Sequence, residues 1–480
     1  MNLFGWVLLL SMTLAGTALA FQPVTNDEAW SLQVARRVLR GERLYRDVFF
    51  GAGPIAIWLL VVAFLVSRPQ LAIVRALTAV YSGAIATACA GLVMILGASP
   101  GQAVTVALAT LAFGGRQLGL HNHYGQISIL MTLLAHLAVA VERNAVAGIL
   151  LAVASTGRYS TGIAATGTLS LVLAIRSTSG EVALLLGAWS GGLLTAALLL
   201  GFEGMRWFVV RAVCNKGVYL KTGTLGPITG IRRTLRQLKR GSRSIALAHL
   251  AAHTLPPLAL AVSLGSLWIG GAESVPAVPL AISLAVLAAL ASFPRYAALH
   301  AVAVAPLAVT SLGASLMVVR LPAALWVALS VISALLLLFC LWSRAREVGT
   351  GQYRRDLPSL RGLPAGPQGG LWPDQTDDLI SAAGPSVFLL DPVAPFFYVC
   401  GSLQNPTPFD YPFASTFGVH GQAEVIRAIE RGSVPWVWVR GRFPDSFRPV
   451  ELLTFVEQQM ELVGEVNGGR LYRMASPAVP

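Results

Sequence analysis

The residues best placed to do chemistry lie between the first two apolar runs of the chain. Asp27 and Glu28 are adjacent there, and Arg46 and Asp47 follow in the same segment. Of two neighbouring carboxyl groups, one can hold a proton while the other stays ionised and acts as a general base. Charged residues make up only 12% of the chain, against 55% hydrophobic residues. The cluster therefore indicates a polar site in an otherwise apolar protein.

The same acids also have a structural interpretation. Residues 29–40 have helical spacing, with Leu32 and Leu39 on one face, which predicts an amphipathic helix lying on a membrane surface. Acidic residues favour the first turn of a helix because they interact well with its dipole. Both interpretations hold together if the helix lies at the interface and its first turn presents the acids.

Polar residues interrupt the apolar sequence at three further places. They are the cluster His121, His123 and Tyr124, the lone Arg158, and the pair Arg295 and His300. A charged side chain at membrane depth is costly, so it usually faces a cavity or a bound group. Arginine suits a phosphate, because its planar guanidinium donates two parallel hydrogen bonds. The two nearby histidines have no third ligand close by, so we predict no metal site, and anchoring at the interface is their alternative role.

These positions are separated by long apolar runs, which predict the elements that must hold them. The mean hydropathy is +0.67. A membrane-spanning helix needs about 20 mostly apolar residues, and we expect about 11 to 13 helices that cross or dip into the bilayer. The fold class predicted is a polytopic α-helical membrane protein.

The charge balance indicates lipid as a partner. The chain has 35 lysines and arginines against 22 acids, a net charge of +13. In a membrane protein this excess is typical of positive-inside loops and of contact with anionic headgroups, so no nucleic-acid partner is predicted. The densest basic run, residues 232–243, is either such a loop or a surface for lipid phosphate. Four scattered cysteines have no metal-like spacing, and we predict no disulfide framework and no cofactor.

The composition changes near the end of the chain. We predict a transmembrane domain over residues 1–342, a linker over 343–370 and a small soluble α/β domain over 371–480. In the last, the sequence predicts helices over 374–383, 423–431 and 450–460, strands over 386–390 and 434–439, and a hairpin over 465–474. The turn of that hairpin is placed at Asn467-Gly468, a strong turn pair.

The segment that begins at Asp27 also resembles a known family. Its matching residues are Asp27-Glu28, Ala35-Arg36-Arg37, Gly41, Leu44-Tyr45-Arg46-Asp47 and Gly53-Pro54. In this order they resemble the first extracytoplasmic loop, here residues 22–53, of GT-C membrane glycosyltransferases. The nearest likeness is to the bacterial family 39 proteins, similar to protein O-mannosyltransferases and the aminoarabinose transferase of lipid A. Many relatives have a Pro-His-Pro-Pro-like stretch where this chain has Gly51-Ala52-Gly53-Pro54, which bears on the acceptor.

The resemblance implies an inverting transfer of a sugar from a polyprenyl-phosphate donor to an acceptor hydroxyl of a lipid, glycan or protein. Asp27 would deprotonate or orient that hydroxyl, with Glu28 as its accessory. Arg295, in a Pro-Arg-x-x-x-x-His pattern ending at His300, would hold the donor phosphate, with help from Arg158. Two alternatives are a transporter or lipid flippase, and a noncatalytic scaffold of an envelope complex.

The implied chemistry places a demand on topology. Residues 102–113 are too few for an ordinary crossing. If they dip into the bilayer and return, then His121, Arg295 and the soluble domain lie on the same side as Asp27. We therefore expect an integral protein of the bacterial inner membrane, with the active site and soluble domain extracytoplasmic.

Overall fold

The computed structural model describes most of the chain and divides it into two compact units. The described residues are 3–20, 23–114, 123–176, 179–214, 229, 232, 235–236, 243–269, 277–291, 298–351, 353–357, 360, 363–367 and 371–474. One unit, here the helical unit, comprises Met1–Gln22, Arg75–Leu199 and Leu225–Gly349. The other, here the mixed unit, comprises Pro23–Val74, Leu200–Thr224 and Thr350–Pro480.

The helical unit is built from apolar helices. Their bounds are Leu3–Ala20, Leu71–Ile95, Pro100–Gly114, His123–Ala140, Asn144–Gly157, Tyr159–Arg176, Ser179–Trp207, Arg243–Ile269, Ala277–Ala291, Ala298–Val318 and Ala323–Thr350. The unit boundaries fall inside three of them, near Val74, Leu199 and Gly349. Among the described residues, three helices are long and apolar enough to cross a membrane: Leu71–Ile95, Ser179–Cys214 and Ala323–Thr350. Shorter apolar helical stretches of 10–17 residues include Leu3–Ala18, Thr254–Ile269 and Ala303–Val318.

Two glycines let helices of this unit approach closely. A Cβ on Gly83 would lie 2.7 Å from the backbone nitrogen of Thr13. A Cβ on Gly148 would lie 2.3 Å from the carbonyl oxygen of Leu185. Close backbone approach at small residues is how helices gain packing energy in lipid, where the hydrophobic effect does not drive them together.

Buried hydroxyls add polar links between helices of the same unit. The hydroxyl of Ser263 lies 2.8 Å from that of Ser311 and 2.9 Å from that of Ser315. The Nε2 atom of His136 lies 3.0 Å from the hydroxyl of Ser283. These pairs satisfy polar groups that would otherwise be buried without a partner.

The short helix Pro100–Gly114 contains the segment expected to dip into the bilayer. It has 15 residues, which corresponds to a length of about 22 Å and is less than the roughly 30 Å of a hydrocarbon core. Its re-entrant course stays a prediction.

The mixed unit contains a four-stranded sheet. Its strands are β1 (Phe388–Leu390), β2 (Trp436–Val439), β3 (Glu461–Val466) and β4 (Gly469–Arg473), in the order β1-β2-β4-β3. β1 pairs with β2 in parallel, and the other pairings are antiparallel. The helices of the unit are Asn26–Leu39, Ile55–Leu65, Asp377–Ala383, Ala394–Cys400, Ala414–Phe417, Gly421–Glu430 and Val450–Gln459, with a π-helix at Phe208–Cys214 and a 3-10 turn at Asp445–Phe447.

The α/β elements predicted for residues 371–480 are confirmed, with shifted ends. The hairpin turn lies at Asn467 and Gly468, whose φ angles of 51° and 70° suit a tight two-residue turn. β3 begins at Glu461, four residues before the predicted start. The helix Ala394–Cys400 is missing from the prediction, although Pro395 near its start is a helix-initiating signal. The domain boundaries at residues 342 and 370 stay a prediction.

Candidate functional site

The helix Asn26–Leu39, here the acid-bearing helix, begins at a capping motif formed by Thr25 and Glu28. The backbone N–H of Thr25 donates to Oε2 of Glu28 at 2.9 Å, and the Thr25 hydroxyl donates to the same oxygen at 3.0 Å. This reciprocal use of Thr and the Glu three residues later is a capping box. Glu28 thus fixes the start of the helix, and Asp27 is held in its first turn.

Asp27 is half-buried in the mixed unit. The pKa of the Asp27 carboxyl is raised from 3.8 to about 6, chiefly by burial and then by the negative charge of Glu28. A hydrogen bond from the Tyr411 side chain acts in the opposite direction and lowers this pKa. A carboxylate with a pKa near 6 is mostly ionised at pH 7 and binds a proton more tightly than an ordinary aspartate, which suits a general base.

Aromatic rings surround the next turn of the helix. The ring centroid of Trp30 lies 5.0 Å from that of Phe50 and 5.3 Å from that of Tyr411. The loop passes close to this tryptophan at Gly51, where a Cβ would lie 3.2 Å from its ring carbon Cη2. These rings pack beside the first turn of the helix, and burial is the largest cause of the raised pKa of Asp27.

Two buried polar atoms near the acid have no hydrogen-bond partner among the described residues. They are Oδ1 of Asn26 and Nε1 of Trp30. The amide nitrogen of Asn26 donates to the carbonyl oxygen of Pro392 at 2.7 Å, so that side chain is held in place while its oxygen remains unpaired. Buried polar groups are seldom left unsatisfied, and clusters of them are common at functional sites.

Arg37 joins the acid-bearing helix to the segment 407–410 of the mixed unit. Its guanidinium donates to the Glu42 carboxylate at 2.6 and 2.8 Å and to Asp410 Oδ1 at 3.0 Å. It also donates to the carbonyl oxygens of Thr407 at 2.9 Å and Asp47 at 3.0 Å. These contacts use all five of its N–H groups.

The segment 405–411 is stiffened from the other side as well. The amide nitrogen of Asn405 donates to Asp410 Oδ1 at 2.9 Å. The side-chain oxygen of Asn405 accepts from the backbone N–H of Thr407 at 2.9 Å. The segment that ends at Tyr411 is therefore held by hydrogen bonds within itself and by hydrogen bonds from Arg37.

A second buried arginine shapes the loop after the acid-bearing helix. Tyr45 has a φ of 69°, in the left-handed region that a tyrosine rarely adopts. Nη1 of Arg211 donates to the carbonyl oxygens of Tyr45 and Arg46, each at 2.7 Å. Arg211 also forms an ion pair with Glu424 and lies 4.3 Å from the ring centroid of Trp207. These contacts offset the strain at Tyr45 and fix the direction of the loop.

Arg46 and Asp47 lie in the same unit as Asp27, on a more exposed surface. Nη1 of Arg46 lies 2.9 Å from Oε2 of Glu203, and Nε lies 3.4 Å from Oδ1 of Asp47. The Asp47 carboxylate also accepts from the backbone N–H of Arg43 at 3.0 Å. Both predicted residues therefore belong to a surface charge network around the turn.

The structure places two further predicted site residues in the helical unit. Arg158 lies between the helices Asn144–Gly157 and Tyr159–Arg176, where its backbone N–H donates to Ala154 at 3.0 Å. Tyr124 lies in the first turn of His123–Ala140, and its carbonyl oxygen accepts from the Ser128 hydroxyl.

The other predicted residues are only partly covered. His121 and Arg295 lie outside the described residues. His123 and His300 lie in helices of which only the backbone is described at these positions. Most of the basic run 232–243 also falls outside the described residues.

Sequence reasoning missed the residues that organise the acid. Tyr411 carries no local signal, because an isolated tyrosine in a Pro-rich stretch is ordinary. Arg37 belongs to the motif that resembles the family, and its place in the last turn of a helix is the sequence signal available for it. The structure shows that it is buried and paired with Asp410. Arg211 follows an apolar run, where a lone basic residue signals a specific partner.

No protein-family model and no curated protein matches the sequence. Solved structures similar to the chain include the arabinofuranosyltransferase AftD from Mycobacteria, ArnT from Cupriavidus metallidurans bound to undecaprenyl phosphate, and the oligosaccharyltransferase of Archaeoglobus fulgidus. Their identities to this chain are 13%, 14% and 12%, with TM-scores of 0.48, 0.43 and 0.46.

The match covers 98%, 98% and 90% of this chain, and 40%, 98% and 67% of those structures, respectively. The chain therefore spans less than half the length of AftD. All three are GT-C glycosyltransferases, the superfamily that the sequence resembles. The identities are low and the TM-scores lie below 0.5, so these likenesses do not assign a function to the chain.

Proposed function

We propose that the protein is a membrane glycosyltransferase that moves a sugar from a polyprenyl-phosphate donor to an acceptor hydroxyl, with Asp27 as the general base. The observation that carries this proposal is the state of Asp27. Its carboxyl group lies in a capped first turn, its pKa is raised to about 6, and a tyrosine hydrogen-bonds to it. Such an acid is tuned to accept a proton near neutral pH.

The reaction needs one proton acceptor and one stabilised leaving group. The acceptor hydroxyl gives its proton to Asp27 as its oxygen bonds to the anomeric carbon of the sugar. The bond from that carbon to the donor phosphate breaks on the opposite face, and the electron pair leaves with polyprenyl phosphate, which inverts the anomeric centre. Arginines can neutralise the developing phosphate charge without a metal ion.

Each remaining predicted residue has a proposed role in binding substrate. Arg295 and Arg158 hold the donor phosphate, and the other proposed ligands are Arg46, Asp47, His121, His123, Tyr124 and His300. Glu28 is proposed as the accessory acid, because its charge raises the pKa of Asp27 and its carboxylate caps the helix.

The proposed arrangement has Asp27 and the soluble domain on the extracytoplasmic side of a bacterial inner membrane. The bond between Asn26 and Pro392 and the ion pair between Arg37 and Asp410 support a common side for the acid-bearing helix and that domain. The lipid tail of the donor would lie in the bilayer, and the acceptor would be a lipid, a glycan or a protein.

The experiment is a donor panel with the purified full-length protein in lipid nanodiscs. Polyprenyl-phosphate sugars labelled in the sugar are each incubated with envelope acceptors, and release of free polyprenyl phosphate is followed together with the labelled product. We expect one donor to be consumed with matched formation of both products. A transporter or flippase would move labelled donor across a proteoliposome membrane without cleaving it, and that result would overturn the proposal.

A further inference from the structure

We propose that the segment 405–411 of the soluble domain is part of the active site, and that Tyr411 is the positioning residue of Asp27. This inference rests on the proposed role of Asp27 as the general base. It assigns the soluble domain a part in setting the base, beyond a structural or acceptor-binding one.

The contact itself has two components. The side chain of Tyr411 hydrogen-bonds to Asp27, and its ring packs against Trp30 one helix turn further on, with the centroids 5.3 Å apart in an edge-on arrangement. The ring of Tyr411 also packs against that of Phe413, at 4.4 Å between centroids. A tyrosine packed against two other rings has little rotational freedom, so its hydroxyl needs no further ordering to reach the carboxylate.

The backbone behind Tyr411 is fixed by the arginine of the same acid-bearing helix. Arg37 binds both the carboxylate of Asp410 and the carbonyl oxygen of Thr407. Asp410 is fully buried, and its second anchor is the amide of Asn405. Arg37 and Asp27 stand on one helix, so the helix that carries the base also holds the segment that carries the partner of that base.

The effect of this partner on proton affinity follows from the charges near Asp27. Among the described residues, the groups that act on its carboxyl are Glu28, from the same helix, and Tyr411, from the soluble domain. A hydroxyl that donates to a carboxylate stabilises the ionised form and so lowers the pKa. Tyr411 therefore counteracts burial and Glu28, and keeps the base ionised at neutral pH.

The test compares proton binding by Asp27 in the wild type and in Tyr411→Phe, which keeps the ring contact and removes only the hydroxyl. The full-length protein in detergent is treated with dicyclohexylcarbodiimide from pH 4 to pH 9, and modification of Asp27 is measured by mass spectrometry. The reagent adds to the protonated carboxyl group, so labelling falls as Asp27 ionises. The midpoint should lie near pH 6 in the wild type and about 1 to 2 pH units higher in Tyr411→Phe, as expected for loss of a hydrogen bond to a charged group.

Tyr472→Phe is the matched control, because Tyr472 is a buried tyrosine of the same unit, on β4. It should leave the midpoint unchanged. Incorporation of 3-fluorotyrosine at position 411 supplies a second test of opposite sign, since the more acidic phenol donates more strongly and should lower the midpoint. Equal midpoints in the wild type, Tyr411→Phe and the fluorinated protein would overturn the assignment.

The labelling result and the proposed function can fail separately. If no donor is ever cleaved but the midpoint shifts as expected, the proposed reaction is wrong and the contact between Tyr411 and Asp27 stands. If transfer occurs and its rising pH limb moves upward in Tyr411→Phe by the same amount as the labelling midpoint, the positioning role in catalysis is supported. Transfer with an unmoved limb would contradict it.

Discussion

Replacing Arg37 by methionine is expected to destabilise the mixed unit by about 3–5 kcal/mol, the usual cost of removing one partner from a buried ion pair. Methionine keeps most of the aliphatic stem, so the change removes mainly the guanidinium. The side chains of Arg37 and Asp410 are only 6% and 0% exposed. The substitution leaves the buried Asp410 carboxyl without its counter-charge, and it also leaves the carbonyl oxygens of Thr407 and Asp47 without this donor.

Most of this loss of stability should come from the buried Asp410 carboxyl, which has lost its ion-pair partner. Neutralising it in the double variant Arg37→Met/Asp410→Asn should therefore recover part of the loss, since the two sites share one network and their effects are not additive. The matched control is Arg43→Met. The Arg43 side chain is 64% exposed and pairs only with exposed Glu203 in the salt bridges described, so its loss should cost no more than about 1 kcal/mol.

The assay is limited proteolysis of the full-length protein across a urea series in detergent, which reports the free energy of unfolding of the cleaved region. Fragments from the mixed unit should appear at lower urea in Arg37→Met than in Arg43→Met. If both variants lose the same small amount of stability, or if the double variant is no more stable than Arg37→Met, the reasoning about the buried pair is wrong.

Three further predictions follow from single positions. Asp27→Asn should stabilise the fold by up to about 3 kcal/mol at pH 7 and leave its stability unchanged at pH 3, because the pKa of Asp27 is about 6 in the folded state against 3.8, so that ionisation above pH 4 destabilises the folded state. Thermal unfolding of the variant and the wild type at the two pH values checks this. Equal stability of the two proteins at pH 7 would contradict it. The transfer rate should rise about tenfold between pH 5 and pH 7, since the base is then released from its proton; a flat profile would exclude Asp27 as the titrating group. Gly468→Ala should cost about 1 kcal/mol, because the φ of 70° at this turn strains any side chain; unfolding of that variant against the wild type measures it, and no loss would show that the turn relaxes.

The local parts of this structure could be predicted from the sequence. Thr25 and Glu28 are three residues apart, and that spacing alone predicts the cap that the structure contains. Asn467-Gly468 likewise predicts the hairpin turn, because few residue pairs tolerate two positive φ angles. In both cases the physics acts within one turn of the chain.

The environment of the acid could not be predicted in this way. The proton affinity of Asp27 depends on burial and on Tyr411, which comes from a segment that Arg37 holds across 370 residues of sequence. The sequence spacing of Tyr411 and Arg37 does not identify either residue as part of the environment of Asp27. The residue type at Glu28 does not by itself reveal its role. The same carboxylate caps the helix and raises the pKa of the neighbouring base.

The role of Asp27 as the general base is tested most directly by the rate of sugar transfer by Asp27→Asn compared with that by Asp378→Asn. Both acids stand at the second position of a helix that follows a threonine cap, and Asp378 is exposed on its surface. Loss of the general base should reduce transfer by at least about 100-fold in Asp27→Asn, with the protein still folded. Asp378→Asn should transfer sugar at the wild-type rate. Transfer by Asp27→Asn at the wild-type rate would contradict the account, because the proton would then leave the acceptor by another route.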